Sequence, residues 1–428
     1  MNRYRASERQ LVRAELTIPL GSQTFSKSRT QYPVGISPLF LDRGRGSYVW
    51  DVDGNRYVDL VNSLASITLG YSNPKIAKAV RNQLKKAVTL SLPGILEAEV
   101  AELIVELVPS AEMVRFGKNG TDATSAAIRL ARAYTGKDHI AVCGYHGWQD
   151  WYIGSTTRNK GVPETVSALT HKFIYNDIGS FRQILAEHSG EIAAVMLEPM
   201  NSEWPEKGFL EEIKSECVKA GIVLIFDETI TGFRYSRGGA QELFGVIPDL
   251  STFGKGMANG FPLSAIVGRK EIMMEMEEIF FSGTFGGELL SLAAAKTVLE
   301  MHISGDICGE LARKGFGLAS KLDELIKSHD LSDVLRLSGH DSWKFLNWSP
   351  KNNFQIETIR TFFMQEIFKR GLLVLGTHNI SLSFGAKEEK SVLKTYDEVL
   401  GLITKGINSG TLADDLLVPP LKPLFRLR

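Results

Sequence analysis

Short apolar runs alternate with stretches of helical periodicity through the middle of the chain. The strands that the apolar runs predict are 140–143, 192–197, 222–226, 250–253 and 263–267. The helices that the periodicity predicts here are 75–88, 95–107 and 209–220, the last with Gly221 as its cap. Apolar strands separated by helices are typical of a mostly parallel sheet covered on both faces. The pattern therefore predicts an α/β fold for this part of the chain.

The two ends of the chain have a different pattern. SYVWDVDGNRYVDL predicts a β-hairpin, with Asp53-Gly54 as its two-residue turn. Toward the other end, a helix is predicted over 308–328, and GLLVLGTHNISLSF predicts strands. We therefore predict an N-terminal segment with the hairpin over 1–58, a large domain over 59–303, and a small α+β C-terminal domain over 304–428.

Composition and charge exclude several classes of partner. Of the 428 residues, 43% are hydrophobic and 23% charged, and Lys plus Arg balances Asp plus Glu at 49 each. A nucleic-acid or anionic-membrane partner would favour a basic excess. No apolar run approaches the roughly 20 residues that span a bilayer, and the N-terminus lacks an apolar signal core. The three cysteines form neither a disulfide framework nor a CxxC metal motif. We expect a cytoplasmic protein without a nucleic-acid, membrane or metal partner.

Polar residues directly after predicted strands are candidates for chemistry, because ligands of such sheets bind beyond the carboxyl ends of the strands. Asp227 in LIFDETITGFR and Lys255 in STFGKGMANGF occupy such positions. Glycines around a lysine allow a planar cofactor to approach the amine. A buried carboxylate could pair with the pyridine nitrogen of pyridoxal 5'-phosphate (PLP). Taken alone, each motif also fits a plain turn or a helix cap.

Two further motifs suit the remaining parts of such a cofactor. KNGTDATSAAIRLARAYTG places Gly120 and Thr121 at a helix start, where free N–H groups and the helix dipole favour a phosphate. In CGYHGWQDW, Tyr145 could stack on a flat ring and His146 could hydrogen-bond beside it. An ordinary capped helix and a packed aromatic pair are the alternatives for these motifs.

The order and spacing of these motifs resemble those of the class III aminotransferases of PLP fold type I. Three more segments carry the same resemblance: YVWDVDGNRYVDL, PDLSTFGKGMANGFPLSAIVGR and SGTFGG. Within that family, glutamate-1-semialdehyde aminomutase is the most similar, from about residue 35 to the chain end. The resemblance implies a large domain with a mostly parallel sheet and a small C-terminal domain. It implies a homodimer with shared active sites. The cofactor residues that it implies are Lys255 as Schiff-base lysine, Asp227 on the ring nitrogen, Tyr145 stacked on the ring with His146 beside it, Gly120 and Thr121 on the phosphate, and Thr284 reaching the phosphate of the neighbouring subunit.

Departures from the aminomutase concern the substrate. Thr229 stands where the family usually has Val, and Leu64 in NSLAS stands where the aminomutase has Trp. PLGSQTFSK replaces PGGVNSPVR, so that Lys27 stands roughly for an Arg. GTHNISLSF lacks a counterpart of the late glutamate, where His378 could supply a contact. Glu203 in EPMNSE matches a glutamate of many class III aminotransferases.

We therefore predict a PLP-dependent aminotransferase that moves an amino group between a small-molecule amino donor and a carbonyl acceptor. The aminomutase itself, with intramolecular transfer, is one alternative. A transaminase of a keto-sugar in amino-sugar or surface-polysaccharide synthesis is another. A non-catalytic binding protein on this fold is the third, and the intact Lys255 and Asp227 argue against it.

Overall fold

The computed structural model describes residues 3–422, which divide into two compact units. The central unit comprises Ala65–Ile67 and Pro74–Glu310. The terminal unit comprises the residues up to Leu64, Thr68–Asn73 and the residues from Leu311 onward. The predicted N-terminal segment and the predicted C-terminal domain thus share one unit. Residues 423–428, the end of the predicted C-terminal domain, lie outside the described residues.

The elements follow one another along both units. The strands, in chain order, are β1 (Leu41–Arg45), β2 (Tyr48–Asp51), β3 (Arg56–Asp59), β4 (Met113–Gly117), β5 (His139–Cys143), β6 (Thr170–Lys172), β7 (Ile192–Leu197), β8 (Val223–Asp227), β9 (Leu250–Phe253), β10 (Ser264–Gly268), β11 (Leu335–Ser338), β12 (Trp343–Trp348), β13 (Leu372–Leu373) and β14 (Thr377–Asn379). The helices are α1 (Arg5–Glu15), α2 (Asn62–Ala65), α3 (Pro74–Leu84), α4 (Ile95–Leu107), α5 (Gly120–Thr135), α6 (Asp150–Ile153), α7 (Glu164–Ser167), α8 (Ile178–Glu187), α9 (Phe209–Ala220), α10 (Ala240–Phe244), α11 (Lys270–Met273), α12 (Leu289–Ser304), α13 (Ile307–Ser328), α14 (Ile356–Lys369) and α15 (Ala386–Ser409). Short 3-10 turns occupy Pro19–Gly21, Phe25–Lys27, Lys255–Ala258 and Met274–Glu277.

A seven-stranded sheet organises the central unit, in the order β4-β10-β9-β8-β7-β5-β6. Strands β6, β5, β7, β8 and β9 run parallel, and β10 is antiparallel to both of its neighbours. The expected α/β fold with a mostly parallel sheet is therefore confirmed. The predicted strands at 192–197 and 250–253 match β7 and β9, and the other three differ by one residue at one or both ends. The sequence did not show that β10 reverses direction.

Side chains of the central strands point alternately to the two faces of this sheet, and both faces are covered by helices. Ala194 and Met196 of β7 pack in the cluster that contains Ala127 of α5. Val195 and Leu197 face the other side, in the cluster that contains Ile213 of α9. Burying one such large apolar side chain stabilises the fold by about 1.5–3 kcal/mol. The apolar runs in the sequence are continuous because the sheet is buried on both faces.

The terminal unit contains two smaller sheets, β1-β2-β3-β13 and β11-β12-β14. The predicted hairpin is confirmed as the antiparallel pair β2 and β3. Its turn is longer than the predicted two residues, because the last backbone bond joins Asp51 N–H to the Asn55 carbonyl at 3.0 Å and leaves residues 52–54 between them. The Asp51 carboxylate holds this wider turn by accepting from the N–H groups of Asn55 at 2.7 Å and Asp53 at 3.1 Å.

Within residues 3–422, no helix combines the length and the apolar character that crossing a membrane requires.

Candidate active site

Two neighbouring parallel strands of the central unit bring Asp227 and Lys255 to the same edge of the sheet. Asp227 is the last residue of β8, and it pairs in register with Thr252 of β9. Lys255 follows the end of β9 by two residues. Both lie at the carboxyl ends of their strands, where the sequence analysis expected them.

Asp227 is held by donors on both carboxylate oxygens, and the residue is only 5% exposed. Its Oδ1 accepts from Thr229 N at 3.1 Å, Thr229 Oγ1 at 2.6 Å and Thr252 Oγ1 at 3.0 Å. Its Oδ2 accepts from His146 Nδ1 at 2.8 Å. Burial alone would raise the pKa of Asp227, but the bonds and charge of His146 and the bonds of Thr229 outweigh burial and lower it. Asp227 is therefore a buried carboxylate that keeps its negative charge.

His146 supplies the positive charge beside Asp227. Its ring Nε2 lies 3.1 Å from the Cys143 carbonyl oxygen, and its Nδ1 bonds to Asp227. Both partners can only accept, so both ring nitrogens carry protons and the ring is an imidazolium. Since His146 is 2% exposed, this ion pair is shielded from water and fixes the orientation of the carboxylate.

Lys255 begins a 3-10 turn in an unusual backbone conformation. Its φ of +41° lies in the left-handed region, which costs a non-glycine residue on the order of 1–3 kcal/mol. Burial lowers the pKa of the Lys255 amine, against the opposing charges of Asp227 and Glu198. A lowered pKa increases the share of the neutral amine, which is the nucleophilic form.

Glu198 is the second carboxylate of the cluster, and the sequence did not lead us to assign it a role. It directly follows β7, is 9% exposed, and accepts from Tyr145 N at 3.1 Å and Asn201 Nδ2 at 2.8 Å. Burial, and then the charge of Asp227, raise its pKa. Gly144 has a φ of +108°, and a Cβ there would lie 2.6 Å from Glu198 Oε2, so only glycine permits this approach. A polar residue directly after an apolar strand was the signal that could have identified Glu198.

The start of α5 forms the other end of the site. Gly120 packs so closely on Thr229 that a Cβ at Gly120 would lie 3.0 Å from Thr229 Cγ2. Thr121 is 7% exposed, and its hydroxyl has no hydrogen-bond partner among residues 3–422. A buried hydroxyl without a partner is costly unless a ligand satisfies it. Together with the first-turn N–H groups of the helix, this hydroxyl fits a phosphate group.

Tyr145 lies in the loop after β5, anchored through its backbone by Glu198 and packed edge-on to Tyr152 with ring centroids 5.7 Å apart. The charges of Asp227 and Glu198 act on its hydroxyl in addition to burial, and all three raise its pKa. The tyrosine therefore belongs to the same cluster as both carboxylates.

The four remaining residues that the sequence singled out have the following surroundings. Thr284 and Glu203 are exposed on turns of the central unit. Lys27 is exposed in the terminal unit and donates to Ser63 Oγ at 3.3 Å. His378, also in the terminal unit, is 1% exposed, and its Nε2 lies 2.6 Å from the Tyr396 hydroxyl.

Residues 31–386 match the sequence profile of the family described as Aminotransferase class-III. The chain belongs to the class-III aminotransferases. A glutamate-1-semialdehyde 2,1-aminomutase from Syntrophobacter fumaroxidans is 39% identical over 317 residues, 70% of this chain and 73% of that protein. A 3-aminobutyryl-CoA aminotransferase from Cloacimonas acidaminovorans is 33% identical over 353 residues, 81% of this chain and 84% of that protein.

Solved structures agree with this assignment. An omega-transaminase from Sphaerobacter thermophilus superposes with a TM-score of 0.84 at 27% identity, covering 94% of this chain and 98% of that one. The PLP internal aldimine form of the FumI protein from Sphingopyxis sp. MTA144 superposes with a TM-score of 0.87 at 27% identity, covering 94% of this chain and 97% of that one. The resemblance and the fold inferred from the motifs are therefore confirmed, and this class-III aminotransferase is an enzyme of amino-group transfer.

Proposed function

We propose that this class-III aminotransferase uses PLP, with Lys255 as the residue that binds the cofactor covalently and Asp227 as the partner of its pyridine nitrogen. The observation that carries the proposal is the buried, charged Asp227 at the same sheet edge as a buried lysine of lowered pKa. When bound, PLP supplies an electron sink for the bond that the substrate breaks at its amino-bearing carbon.

Each side chain of the cluster has its own role in proton transfer, charge stabilisation or cofactor binding. The Lys255 amine would take the proton from the amino-bearing carbon of the substrate as a general base, and then deliver it to the C4′ carbon of the cofactor as a general acid. The negative charge of Asp227 keeps the ring nitrogen protonated, and His146 holds that carboxylate in place. The Thr121 hydroxyl and the Gly120 amide bind the phosphate, and the Tyr145 ring packs on the cofactor.

Covalent labelling tests the assignment of Lys255. Borohydride reduction of the PLP-loaded enzyme, followed by peptide mapping, is expected to find the cofactor on Lys255. The Lys255→Ala variant is expected to lose the label and nearly all turnover. Lys296→Ala, at a lysine that ion-pairs with Glu99 in the same unit, serves as the matched control and keeps both. Label on a different lysine would refute the assignment.

The reaction type that we favour is two-substrate transamination. Leu64 lies in the short segment α2, whose four residues, 62–65, all have φ between +46° and +67°. Left-handed backbone costs about 1–2 kcal/mol per residue, and such strain concentrates at functional sites. Asn62 anchors this segment by donating from Nδ2 to the Asn379 carbonyl at 2.5 Å. The strain supports a substrate-contacting role for the segment, in which Leu64 replaces the Trp of the aminomutase.

Among the substrate candidates, Glu203 and Lys27 remain because both side chains are exposed. His378 is assigned a packing role instead, since its ring is buried against Tyr396. The altered PLGSQTFSK segment and Leu64 both remove features that hold the small acidic substrate of the aminomutase. Loss of one charge-assisted contact of about 1.5–3 kcal/mol weakens such a substrate roughly tenfold or more.

The aminomutase reaction is the second candidate, because a protein of that name is 39% identical to this chain. Glutamate-1-semialdehyde supplied alone is expected to give slow formation of 5-aminolevulinate. Panels of an amino donor with a carbonyl acceptor, keto-sugars included, are expected to give faster turnover. The Leu64→Trp variant is expected to shift the ratio toward the single-substrate reaction. Efficient 5-aminolevulinate formation by the unaltered enzyme would establish the aminomutase instead.

The active assembly in this proposal is a homodimer with shared sites. Thr284 lies on a turn between Phe280, which is 82% exposed, and Phe285, which is 60% exposed. Leu92 and Ile95, at 79% and 81% exposed, are further exposed apolar residues of the same unit. Exposed apolar patches of this kind mark protein–protein interfaces. Thr284 belongs to this surface and reaches the phosphate site of the neighbouring subunit.

A further inference from the structure

Three histidines of the central unit meet at the end of β5 opposite to the active site. His139 is the first residue of β5, His171 lies in the neighbouring β6, and His188 directly follows α8. His171 pairs in register with Ala141. Since residues 139 and 141 point to the same face of the sheet, His139 and His171 project to one side. The active-site loop begins after Cys143, at the other end of β5, about 13 Å away along the strand.

The ring nitrogens of these histidines are close enough to share one ion. His139 Nδ1 lies 2.8 Å from His171 Nε2, and the rings of His171 and His188 stack with centroids 3.8 Å apart. One ligand nitrogen from each of the three lies within 4.8 Å of the others. In a tetrahedral zinc site with Zn–N bonds of about 2.0–2.1 Å, ligand nitrogens are separated by about 3.3 Å. The ligand nitrogens lie near that spacing, with His139 and His171 at 2.8 Å and all three within 4.8 Å of one another.

The charges around the cluster favour a cation. The carboxylates of Glu187 and Glu191 act electrostatically on the His171 ring, and they would attract a bound cation in the same way. The three imidazoles therefore lie beside two carboxylates.

Glu191 lies beside the histidines, where a carboxylate in a metal site usually contacts the ligands. Its Oε2 is 3.4 Å from His188 Nδ1 and 3.9 Å from His139 Nε2. Histidines that bind metals commonly donate their other ring N–H to a carboxylate, which fixes the tautomer. With Nε2–H of His139 turned to Glu191, Nδ1 of His139 presents its lone pair to the cluster. When the ion binds, the proton shared between His139 and His171 would leave the nitrogen that faces the cluster. It would move to the other nitrogen of the ring that carried it.

We propose that His139, His171 and His188 bind a late first-row divalent cation, Zn²⁺ above all, with Glu191 orienting the imidazoles and water completing the shell. Imidazole nitrogens suit Zn²⁺, Ni²⁺ and Cu²⁺. The bound ion joins β5, the edge strand β6 and the end of α8, so its role is to stabilise the central unit. From the sequence we expected no metal, since the three cysteines form no CxxC motif. Histidines 32 and 17 residues apart match no short metal motif either. This site is independent of the proposed transamination.

Metal counting on the tag-free, PLP-loaded enzyme tests the site. After treatment with a chelator and dialysis against ZnCl₂, elemental analysis is expected to find one zinc ion per chain. Competition with a chromogenic chelator then gives the affinity. His188→Gln and His171→Gln are each expected to lower that affinity at least tenfold, and Glu191→Gln about ten- to hundredfold. Zinc is expected to raise the unfolding temperature of the unaltered enzyme and not that of His188→Gln.

His329→Gln is the matched control. The His329 side chain is 22% exposed against 24% for His188, and it also pairs with a carboxylate, Asp397, at 2.7 Å. This variant is expected to keep the zinc. His188 follows a helix at the surface, so its variant tests the site even if His171→Gln fails to fold, which circular dichroism reveals. Equal zinc binding by the unaltered enzyme and by His188→Gln, or none by either, would overturn the proposal.

Discussion

Asp227 keeps its negative charge in surroundings that by themselves would neutralise it. Burial raises the pKa of a carboxyl group, yet the His146 imidazolium and the two bonds from Thr229 lower the pKa of this one. Thr229 also gives a physical account of one departure from the family pattern. A valine side chain at this position could pack on a ring but could not donate a hydrogen bond. The Thr229 hydroxyl donates to Asp227 Oδ1 at 2.6 Å.

Removing the charge of Asp227 without changing its shape tests its role. Asp227→Asn is expected to bind PLP and to lose about 10²-fold or more in turnover, because a preorganised charge is lost at the reacting centre. Steady-state kinetics with a two-substrate assay measures the loss. Asp249→Asn is the control, since Asp249 accepts from Leu224 N at 2.9 Å at the opposite end of the same strand. Near-normal turnover in Asp227→Asn would contradict the assignment.

At the scale of elements, the first and last turns of α5 differ in the bonding of their threonine hydroxyls. The Thr121 hydroxyl is buried without a partner among residues 3–422, whereas Thr135, in the last turn, donates to the Ala131 carbonyl at 2.7 Å. The Thr135 hydroxyl therefore bonds within the helix, whereas the Thr121 hydroxyl is available for the proposed phosphate.

Replacing each hydroxyl by a methyl group separates the two cases. Thr121→Val is expected to weaken PLP binding roughly ten- to hundredfold, because a hydrogen bond to a charged group contributes about 1.5–3 kcal/mol. Thr135→Val, at the other end of α5, is expected to leave the PLP affinity unchanged. Absorbance titration of the two apoenzymes with PLP gives both constants. Equal affinities would remove Thr121 from the phosphate site.

At the scale of the whole molecule, two buried histidines make stability depend on pH. Burial lowers the pKa of both His302 and His378 to about 4, and each residue is 1% exposed. In the unfolded chain, histidine titrates near pH 6.5. As pH falls below about 6.5, the unfolded state therefore takes up protons that the folded state does not. Stability is greatest above that pH and is lost as pH falls toward 4.

Denaturant titrations between pH 7.5 and pH 5 check this dependence. The free energy of unfolding is expected to fall by up to about 1.4 kcal/mol per pH unit for each of the two imidazoles. His302→Gln is expected to reduce the slope against pH, whereas His329→Gln, at a more exposed ring, is expected to retain it. A slope that is the same in all three proteins would show that buried imidazoles do not govern acid stability.

The exposed apolar residues of the central unit, Phe280 and Ile95 among them, lead to a prediction about the assembly. Ile95→Asp and Phe280→Asp are expected to shift the enzyme toward monomers in sedimentation and to reduce its turnover, because a charge would be buried in the interface. Phe316→Asp is the control, since this phenylalanine is 61% exposed but lies in the terminal unit. Thr284→Ala is expected to leave the dimer intact while weakening PLP binding. A fully active monomer would rule out shared sites.

The sequence alone determined the features that depend on neighbours in the chain. Apolar runs predicted the central strands within one residue at each end, and the residues directly after them, Asp227 and Lys255, were identified as candidates. Both arguments succeed for a physical reason. Strands buried on both faces have continuous apolar runs, and parallel strands end at a common edge.

Only the tertiary structure decided which distant side chains meet. His146 and Asp227 are separated by 81 residues and yet form the ion pair that fixes the charge of the site. The reversal of β10, the grouping of both chain ends in one unit and the meeting of His139 with His171 likewise depend on long-range packing. Local periodicity reports which face of an element is buried, but it does not report which other element covers that face. For that reason the sequence identified the proposed cofactor residues one by one, whereas their mutual bonds and the histidine cluster were revealed only by the fold.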